Sequence, residues 1–253
     1  MKNSIVIIVT LLVAFFCAGT AANATPENKE IVLTFKGWPP YLIREKDGRS
    51  GGFMFDVLQT VAAANGYEVA VKSYPEKRGA MMMNKGKVDV RAKAKEWVKN
   101  PEHYIWTDPV VESTDILIFL KDNPTVFTRP EDLFGKRIGA GLGYGYPLLD
   151  SYFADKRITR SDTKSVSAML MMLSKRRFDA AIINKFVALW VIRQNPKLQR
   201  EKFEFSEKPV GKAGYRFMFT PEHNWKPFAE LFNQELEKMR GDGRLEKIMK
   251  KYQ

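Results

Sequence analysis

Apolar positions in the first part of the chain alternate between the period of a strand and the period of a helix. The run at 31–35 predicts a strand, and the spacing of apolar residues over 56–65 predicts a helix with one buried face. A strand at 67–72, a helix at 76–85 and a short strand at 88–91 follow. Strands and helices in alternation are typical of a parallel sheet covered by helices.

The pattern repeats after residue 120, which indicates a second unit of the same kind. The strongly apolar segment 115–120 predicts a central strand, and a polar break at 121–124 follows it. The later elements are predicted, in chain order, as a strand at 137–140, helices at 146–153 and 166–173, a strand at 179–183, a helix at 185–193, a strand at 215–219, and helices at 224–240 and 243–252.

Two α/β units, one inserted into the other, explain this order of elements. We predict one lobe from residues 25–120 and 213–253 and a second lobe from residues 121–212. Each lobe would be a mainly parallel sheet with flanking helices. Two lobes joined by strands enclose a cleft, which is where a small ligand usually binds.

The first 24 residues have the pattern of a secretory signal peptide. Lys2 precedes an apolar run from residue 5 to 18, and Ala22-Asn23-Ala24 offers a small-residue cleavage site. The run is shorter than the roughly 20 residues that a membrane-spanning helix needs, so an uncleaved anchor is the less favoured alternative. We expect cleavage after Ala24 and a periplasmic location.

Cysteine usage and charge exclude several classes of protein. The single cysteine, Cys17, lies inside the predicted signal peptide, so we expect no disulfide and no cysteine nucleophile in the exported chain.

The formal net charge of +12 attracts anions, and nucleic acid is the usual partner of so basic a chain. The basic residues are scattered, however, and export argues against nucleic acid. We predict no nucleic-acid partner.

Patterns of catalysis or metal binding are sparse. The two histidines, His103 and His223, are too isolated for a metal cage, and neither G-x-S-x-G nor H-E-x-x-H occurs. The glycine run at 139–145 fails as a dinucleotide fingerprint, because Tyr144 and Tyr146 stand where glycine is required. The run is either a loop whose N–H groups bind an anion or a tight βα turn. We expect no catalytic residue, no metal and no cofactor.

Aromatic residues mark the end of the first strand. Pro39 and Pro40 restrict the backbone between Trp38 and Tyr41. Rigid aromatic side chains at a strand end can stack on a flat group or cover a cation, so we predict an aromatic wall for a ligand. Packing of Trp38 in the core is the alternative. Further aromatic candidates for the site are Trp97, Tyr144 and Tyr146.

Basic residues form a second set of candidates, namely Arg78, Arg91 and Lys93. Arg91 and Lys93 follow the strand at 88–91 and so lie at its carboxyl end, the edge that faces the ligand crevice in open α/β sheets. A guanidinium group there could bind a carboxylate through two hydrogen bonds. A solvated basic loop is an equally good interpretation.

Five segments of the chain, taken in order, resemble sequence blocks of one family. They are GWPPYLIREKDGRSGGFMFDVL, PEKRGAMMMNKGKVDV, WTDPVVEST, LFGKRIGAGLGYGYP and LSKRRFDAAIIN. The family is that of the extracellular solute-binding proteins, family 3, the periplasmic receptors of polar amino acid ABC importers. The resemblance implies an α/β, two-lobed flytrap fold that closes on its ligand and a membrane permease that binds the closed form.

The resemblance also implies a ligand site, from which this chain departs twice. Amino acid binders of the family carry an arginine for the α-carboxylate shortly before the third block, whereas residues 99–104 contain none. Asn184 stands where they carry an aspartate for the ammonium group, and an amide can hydrogen-bond an ammonium but cannot neutralise it. We therefore expect a small polar or anionic organic solute. An ordinary amino acid stays possible, because Arg78 or Arg91 could replace the missing arginine.

Three functions remain open from the sequence. The first, which we favour, is a monomeric periplasmic protein that binds a small solute, without catalysis, and delivers it to an ABC importer. The second is a periplasmic enzyme of the same fold, of the dehydratase kind, for which Glu96 is the one acid or base that we can name in the cleft. The third is a ligand-sensing protein.

Overall fold

The computed structural model describes residues 29–252. The predicted signal peptide at 1–24, with Cys17, therefore lies outside the described residues. Within residues 29–252, no helix is both long and apolar enough to cross a membrane.

The first half of the described chain contains seven strands and two α-helices. These are β1 (Lys29–Thr34), β2 (Ile43–Arg44), β3 (Ser50–Gly51), α1 (Phe53–Ala64), β4 (Tyr67–Lys72), α2 (Glu76–Met83), β5 (Val90–Ala94), β6 (Ile105–Trp106) and β7 (Val111–Leu120). The second half contains β8 (Arg137–Gly141), α3 (Asp150–Ala154), β9 (Thr159–Thr163), α4 (Val166–Ser174), β10 (Ala180–Asn184), α5 (Lys185–Gln194), β11 (Phe203–Phe219), α6 (Lys226–Gly241) and α7 (Arg244–Lys250).

Nearly all strands belong to one sheet with two parallel halves. The strand order is β4-β1-β5-β11-β7-β10-β8-β9, and β6 also pairs with β11. Strands β4, β1 and β5 are parallel to one another, as are β10, β8 and β9. Between these halves lie β11 and β7, which are antiparallel to each other and to their outer neighbours. The α/β fold with two mainly parallel lobes is therefore confirmed.

The two lobes are connected through long paired strands. Strand β7 has 10 residues and β11 has 17. Strand β11 pairs with β7 from Phe203 to Tyr215 and with β5 from Tyr215 to Phe219, so a single strand takes part in both halves of the sheet. The lobe boundaries at residues 120 and 212 stay a prediction. In the structure, the chain passes between the two halves of the sheet within β11, whose backbone is hydrogen-bonded to β7 and then to β5.

Burial on both faces of the sheet explains the apolar run in β7. Leu117 and Phe119 pack in a cluster on one face, and Ile118 and Leu120 pack in a second cluster on the other face. A strand covered on both sides has an almost continuous apolar sequence rather than an alternating one. The prediction of a central strand at 115–120 is confirmed, since β7 lies between β11 and β10.

Some predicted elements were wrong in extent, and four strands were missed: the two-residue strands β2, β3 and β6, and β9. Strand β9 has the sequence TRSDT and is an edge strand with one partner, so it lacks the apolar pattern of a buried strand. Strand β11 begins at Phe203 rather than 215, because its first half is mainly polar. The helix predicted at 146–153 begins only at Asp150, and α1 begins three residues before the predicted 56.

We expect Leu117→Ala to lower the free energy of unfolding by about 2–5 kcal/mol, because the side chain is fully buried and its removal leaves a cavity. Urea unfolding followed by circular dichroism measures this change. Val126→Ala is the matched control, since Val126 is 70% exposed and its loss should change stability by less than about 0.5 kcal/mol. Equal unfolding midpoints for the two variants would contradict the burial of β7.

Candidate functional site

A tight loop after β1 holds the first two aromatic candidates. The Trp38 N–H donates to the Leu42 carbonyl at 2.7 Å, and the Tyr41 N–H donates to the Trp38 carbonyl at 2.9 Å. The peptide bond between Pro39 and Pro40 is cis. The loop therefore presents the rings of Trp38 and Tyr41 at the carboxyl end of β1.

The start of helix α1 fixes this loop in place. The N–H groups of Phe53 and Met54 donate to the carbonyls of Pro40 and Tyr41, both at 2.9 Å. First-turn N–H groups have no partner inside their own helix, so the loop supplies one for each. Gly52 makes the approach possible: its φ is +103°, and a Cβ there would lie 2.6 Å from the Tyr41 carbonyl oxygen.

Four aromatic rings form one cluster. Trp38 stacks on Tyr41 with ring centroids 4.5 Å apart, and it meets Tyr215 edge-on at 5.1 Å and Trp97 at 6.2 Å. Tyr41 and Tyr215 are buried, Trp38 is partly buried, and Trp97 is 48% exposed. The two tyrosines thus form a buried support, while the two tryptophans offer accessible ring surface. We call these four residues the aromatic cluster.

Two basic candidates share one acidic partner that sequence reasoning missed. Arg91 and Lys93 lie on the same face of β5, two residues apart, and each places a nitrogen 2.6 Å from Glu76 Oε1. Burial would raise the pKa of Glu76, but the hydrogen bond from Lys93 and the charge of Arg91 outweigh it and hold the pKa below its usual value. The interpretation as a solvated basic loop was wrong for Arg91, which is buried within a strand.

Two further candidates, Arg78 and Tyr146, make their contacts away from the aromatic cluster and from Glu76. Arg78 is exposed, and its guanidinium group lies 5.2 Å from the ring centroid of Tyr74. Tyr146 is 6% exposed in a core cluster of the second lobe, and its hydroxyl accepts a hydrogen bond from the Gly141 N–H at 3.1 Å. Burial raises the pKa of Tyr146 to about 12. These contacts make Tyr146 a support of the glycine loop.

Asn184 connects the two predicted lobes. Its Oδ1 accepts hydrogen bonds from the Tyr41 hydroxyl at 3.2 Å and from the Val187 N–H at 3.1 Å, the latter capping α5. Its Nδ2 donates to Ser113 Oγ at 3.0 Å. Burial raises the pKa of Tyr41 to about 12, so its hydroxyl stays protonated and keeps donating. Asn184 is itself buried, and both lone pairs of its oxygen are in use.

Asp115 lies directly beside this network and was also missed from the sequence. It is the register partner of Asn184 across the β7–β10 ladder. Burial raises the pKa of its carboxyl to about 6. Within residues 29–252, no side chain or backbone group donates a hydrogen bond to this carboxylate, and no cation pairs with it. The sequence did contain a signal for this residue, because a charged side chain at the start of the apolar run 115–120 is unusual.

Tyr144 lies near carboxylates of both lobes. The side chain is 58% exposed, and burial of its hydroxyl, together with the charges of Asp115 and Glu76, raises its pKa. Tyr144 follows β8 in the second lobe and Glu76 begins α2 in the first, so charges from both sides of the predicted interlobe cleft act on the Tyr144 hydroxyl.

Two surface depressions lie at other positions. One of about 240 Å³ is lined by Glu96, Pro109, Glu112, Lys212, Ala213 and Gly214. A second, of about 480 Å³, is lined by residues of the β2–β3 hairpin and of α1 and by Trp190 and Tyr252. Neither contains a residue that the sequence predicted for the ligand site. Among the described residues, no three His, Cys, Asp or Glu side chains are grouped so as to hold a metal ion.

Comparison with known proteins is consistent with this geometry. Residues 31–253 match the model of the bacterial extracellular solute-binding proteins, family 3. The chain is 25% identical over 237 residues to a probable histidine-binding protein of Campylobacter jejuni, covering 93% of this chain and 88% of that one. It is 23% identical over 262 residues to the arginine-binding extracellular protein ArtP of Bacillus subtilis, covering 100% and 98%.

A solved structure shows the same fold. The substrate-binding domain 2 of Lactococcus lactis GlnP, in its open conformation, superposes with a TM-score of 0.69 at 19% identity, covering 90% of this chain and 97% of that one. At this level of identity the likeness supports the fold alone. The superposition thus confirms the two-lobed architecture independently of the strand pairing described above.

We expect Asp115→Asn to stabilise the ligand-free protein at neutral and alkaline pH. A carboxyl whose pKa rises from 3.8 to about 6 on folding costs stability once it ionises, so the cost is absent below the lower value and complete above the higher one. The variant should gain about 1–3 kcal/mol near pH 8 relative to its effect near pH 3.5. Urea unfolding at the two pH values measures this. A gain that does not depend on pH would contradict the assignment.

Proposed function

The chain belongs to the bacterial extracellular solute-binding proteins, family 3, and from this premise we propose that it captures a small, polar, amino-acid-like solute around Trp38, Trp97, Arg91, Lys93 and Tyr144. Solute binding between two lobes is the function of this family, and the fold found here is the one that such binding uses. The proposal assigns the ligand site to the cleft described above.

The observation that carries the proposal is the convergence of three kinds of contact at one place. The accessible parts of the Trp38 and Trp97 rings, which meet edge-on, offer apolar surface. Arg91 and Lys93 share one carboxylate and therefore keep one positive charge in excess. Asp115 adds a carboxylate that has no ion-pair partner within residues 29–252. Small-molecule sites combine such an apolar surface with a few polar groups that fix orientation.

The relatives support an amino-acid-like ligand. By their names they bind histidine and arginine, two solutes that carry both a carboxylate and cationic nitrogen. The cleft of this chain likewise carries both signs of charge. The Asn184 side chain, by contrast, is occupied by Tyr41, Val187 and Ser113, so we propose that it supports the site and does not itself hold the charge of the ligand.

We propose that the protein binds its solute without converting it. The carboxylate of Glu76 is held by two cations and is therefore a weak base, and Glu96 lines a separate depression. The dehydratase-like alternative has no observation in its favour. The location that we propose is the periplasm after removal of residues 1–24, and the partner is the permease of an ABC importer. We propose a monomer with no nucleic-acid partner.

A thermal-shift screen against the common amino acids and small organic acids tests the function. We expect at least one compound to raise the melting temperature, because a ligand at about 100 times its Kd adds about 2.7 kcal/mol of stability. Mass spectrometry of the hit after incubation should recover it unchanged. Conversion of the hit would favour the enzyme, and the absence of any hit would count against the proposed ligand class.

Trp97→Ala tests the place of binding. We expect it to weaken binding of the hit about 10-fold or more in isothermal calorimetry, because an accessible indole is a typical source of binding energy. Phe134→Ala is the matched control: Phe134 is also partly exposed, at 38%, but it packs against Tyr152 and Arg157 in the second lobe. Equal effects of the two substitutions would show that the ligand lies elsewhere.

A further inference from the structure

Basic residues that are scattered along the sequence are gathered by the fold at one end of the sheet. Strands β8, β9 and β10 are parallel to one another, so their amino ends lie at one edge. Strand β7 ends and β11 begins at this same edge, where Leu120 is the register partner of Phe203. The segments that enter or leave the sheet there are residues 121–124, 135–137, 155–158, 175–179 and 195–202. We call these five segments the basic loops.

The basic loops carry much of the charge of the protein. They contain 11 basic and four acidic residues, a net charge of +7 against +12 for the whole sequence. Two of the acids pair within the loops, Asp122 with Arg176 and Asp155 with Arg157. Of the nine other cations, eight are exposed and have no ion-pair partner within residues 29–252. Such an excess of charge attracts an anionic partner.

Two of these basic residues stand where the backbone favours glycine. Lys156 and Arg176 follow α3 and α4, and their φ angles are +63° and +57°. Helices commonly end in this left-handed conformation at a glycine, because a Cβ is crowded there. The one other non-glycine residue with positive φ in the described range 29–252 is Asn100, a residue type that tolerates the conformation. The chain therefore keeps long cationic side chains where they cost stability, which indicates that their charge is used.

The arrangement of these cations fits an anionic lipid surface. Neither of the two surface depressions described above is lined by a basic loop, whereas a site for one small anion would enclose it. Lipid headgroups move laterally and can meet dispersed cations, each of which adds to binding near the surface. Phe134, directly before the loop 135–137, is 38% exposed, and its ring centroid lies 5.0 Å from the guanidinium group of Arg157. An aromatic ring beside a cation suits the boundary between headgroups and acyl chains.

We propose that the basic loops bind the protein reversibly to membranes that contain anionic phospholipids. The carboxyl ends of β8 and β10, with Tyr144 and Asn184, lie at the opposite edge of this half of the sheet. A protein bound through the basic loops therefore keeps these residues away from the lipid. The inference goes beyond solute binding and does not depend on it.

Sedimentation with lipid vesicles tests the inference. The protein is purified after export, so that the apolar run at 5–18, which would itself bind lipid, is absent. The probes are vesicles of phosphatidylcholine alone and vesicles that contain about one third phosphatidylglycerol, in about 0.1 M NaCl. We expect binding to the anionic vesicles only, and its loss in about 0.5 M NaCl, because salt screens exposed charges. Equal binding to both kinds of vesicle, or to neither, would overturn the proposal.

A variant that combines Lys121→Gln, Lys175→Gln, Arg177→Gln and Lys202→Gln tests the place of contact. We expect its affinity for the anionic vesicles to fall at least about 30-fold, because each basic residue near the surface contributes about 5-fold. All four side chains are exposed, so the melting temperature should stay close to that of the wild type.

The matched control removes the same charge from the other lobe, by Lys72→Gln, Lys85→Gln, Lys87→Gln and Lys226→Gln. These side chains are also exposed. At about 0.1 M salt the Debye length is about 10 Å, so charges far from the bilayer are screened and the affinity should change less than about 3-fold. Equal losses in the two variants would show that net charge alone causes binding, and would overturn the role of the basic loops.

Lys156→Gly separates the use of the charge from its cost. We expect a higher melting temperature, because glycine relieves the backbone, together with affinity for the anionic vesicles about 5-fold weaker. Unchanged affinity would count against the proposal. Binding of a duplex DNA fragment or of polyglutamate as tight as that of the anionic vesicles, in the same salt, would overturn the assignment to lipid.

Discussion

The antiparallel pairing of β7 with β11 is the constraint on which the cleft depends. These two strands hold the parallel halves of the sheet together, and side chains from both of them reach the site: Asp115 from β7 and Tyr215 from β11. Because side chains in a strand alternate between faces, a slip of either strand by one residue would turn the side chain that it contributes to the wrong side. Such a shift would also exchange the side chains that pack in the two clusters on opposite faces of β7, and the misfit in the core makes it costly. The geometry of the site is therefore fixed by the packing of the core.

The cleft combines charges that the protein has balanced with one that it has not. Arg91 is 6% exposed, and an unpaired guanidinium group at that depth would be expensive. Glu76 supplies the counter-charge from the first turn of α2, where a carboxylate also favours the helix dipole. Asp115 has no such partner in the part of the chain that the structure describes. Groups that destabilise the free protein and lie in a cleft are frequent at functional sites, because selection for binding retains them.

Much of the fold could be predicted from the sequence, but the charge network could not. Periodicity and apolar content located most strands and helices, since these depend on local patterns and burial. The edge strand β9 was not predicted, because an edge strand does not need an apolar sequence. Trp38 and Arg91 were predicted as site residues from their positions at strand ends, and they remain proposals. Glu76 and Tyr215 were not, because their importance depends on contacts with residues far away in the chain. No local pattern shows that Glu76 meets two cations from another element.

The pairing of Asn184 with Asp115 explains why an acid occupies only one of these two positions. They are opposite each other in an antiparallel ladder, where directly opposed residues have Cβ atoms about 5 Å apart and like charges destabilise the pair. Asn184 is buried and must both accept from Tyr41 and Val187 and donate to Ser113, which an ionised carboxylate could not do. The amide therefore serves the connection between the lobes. On the neighbouring strand β7, the side chain at position 115 does not take part in these hydrogen bonds, so an acid can stand there.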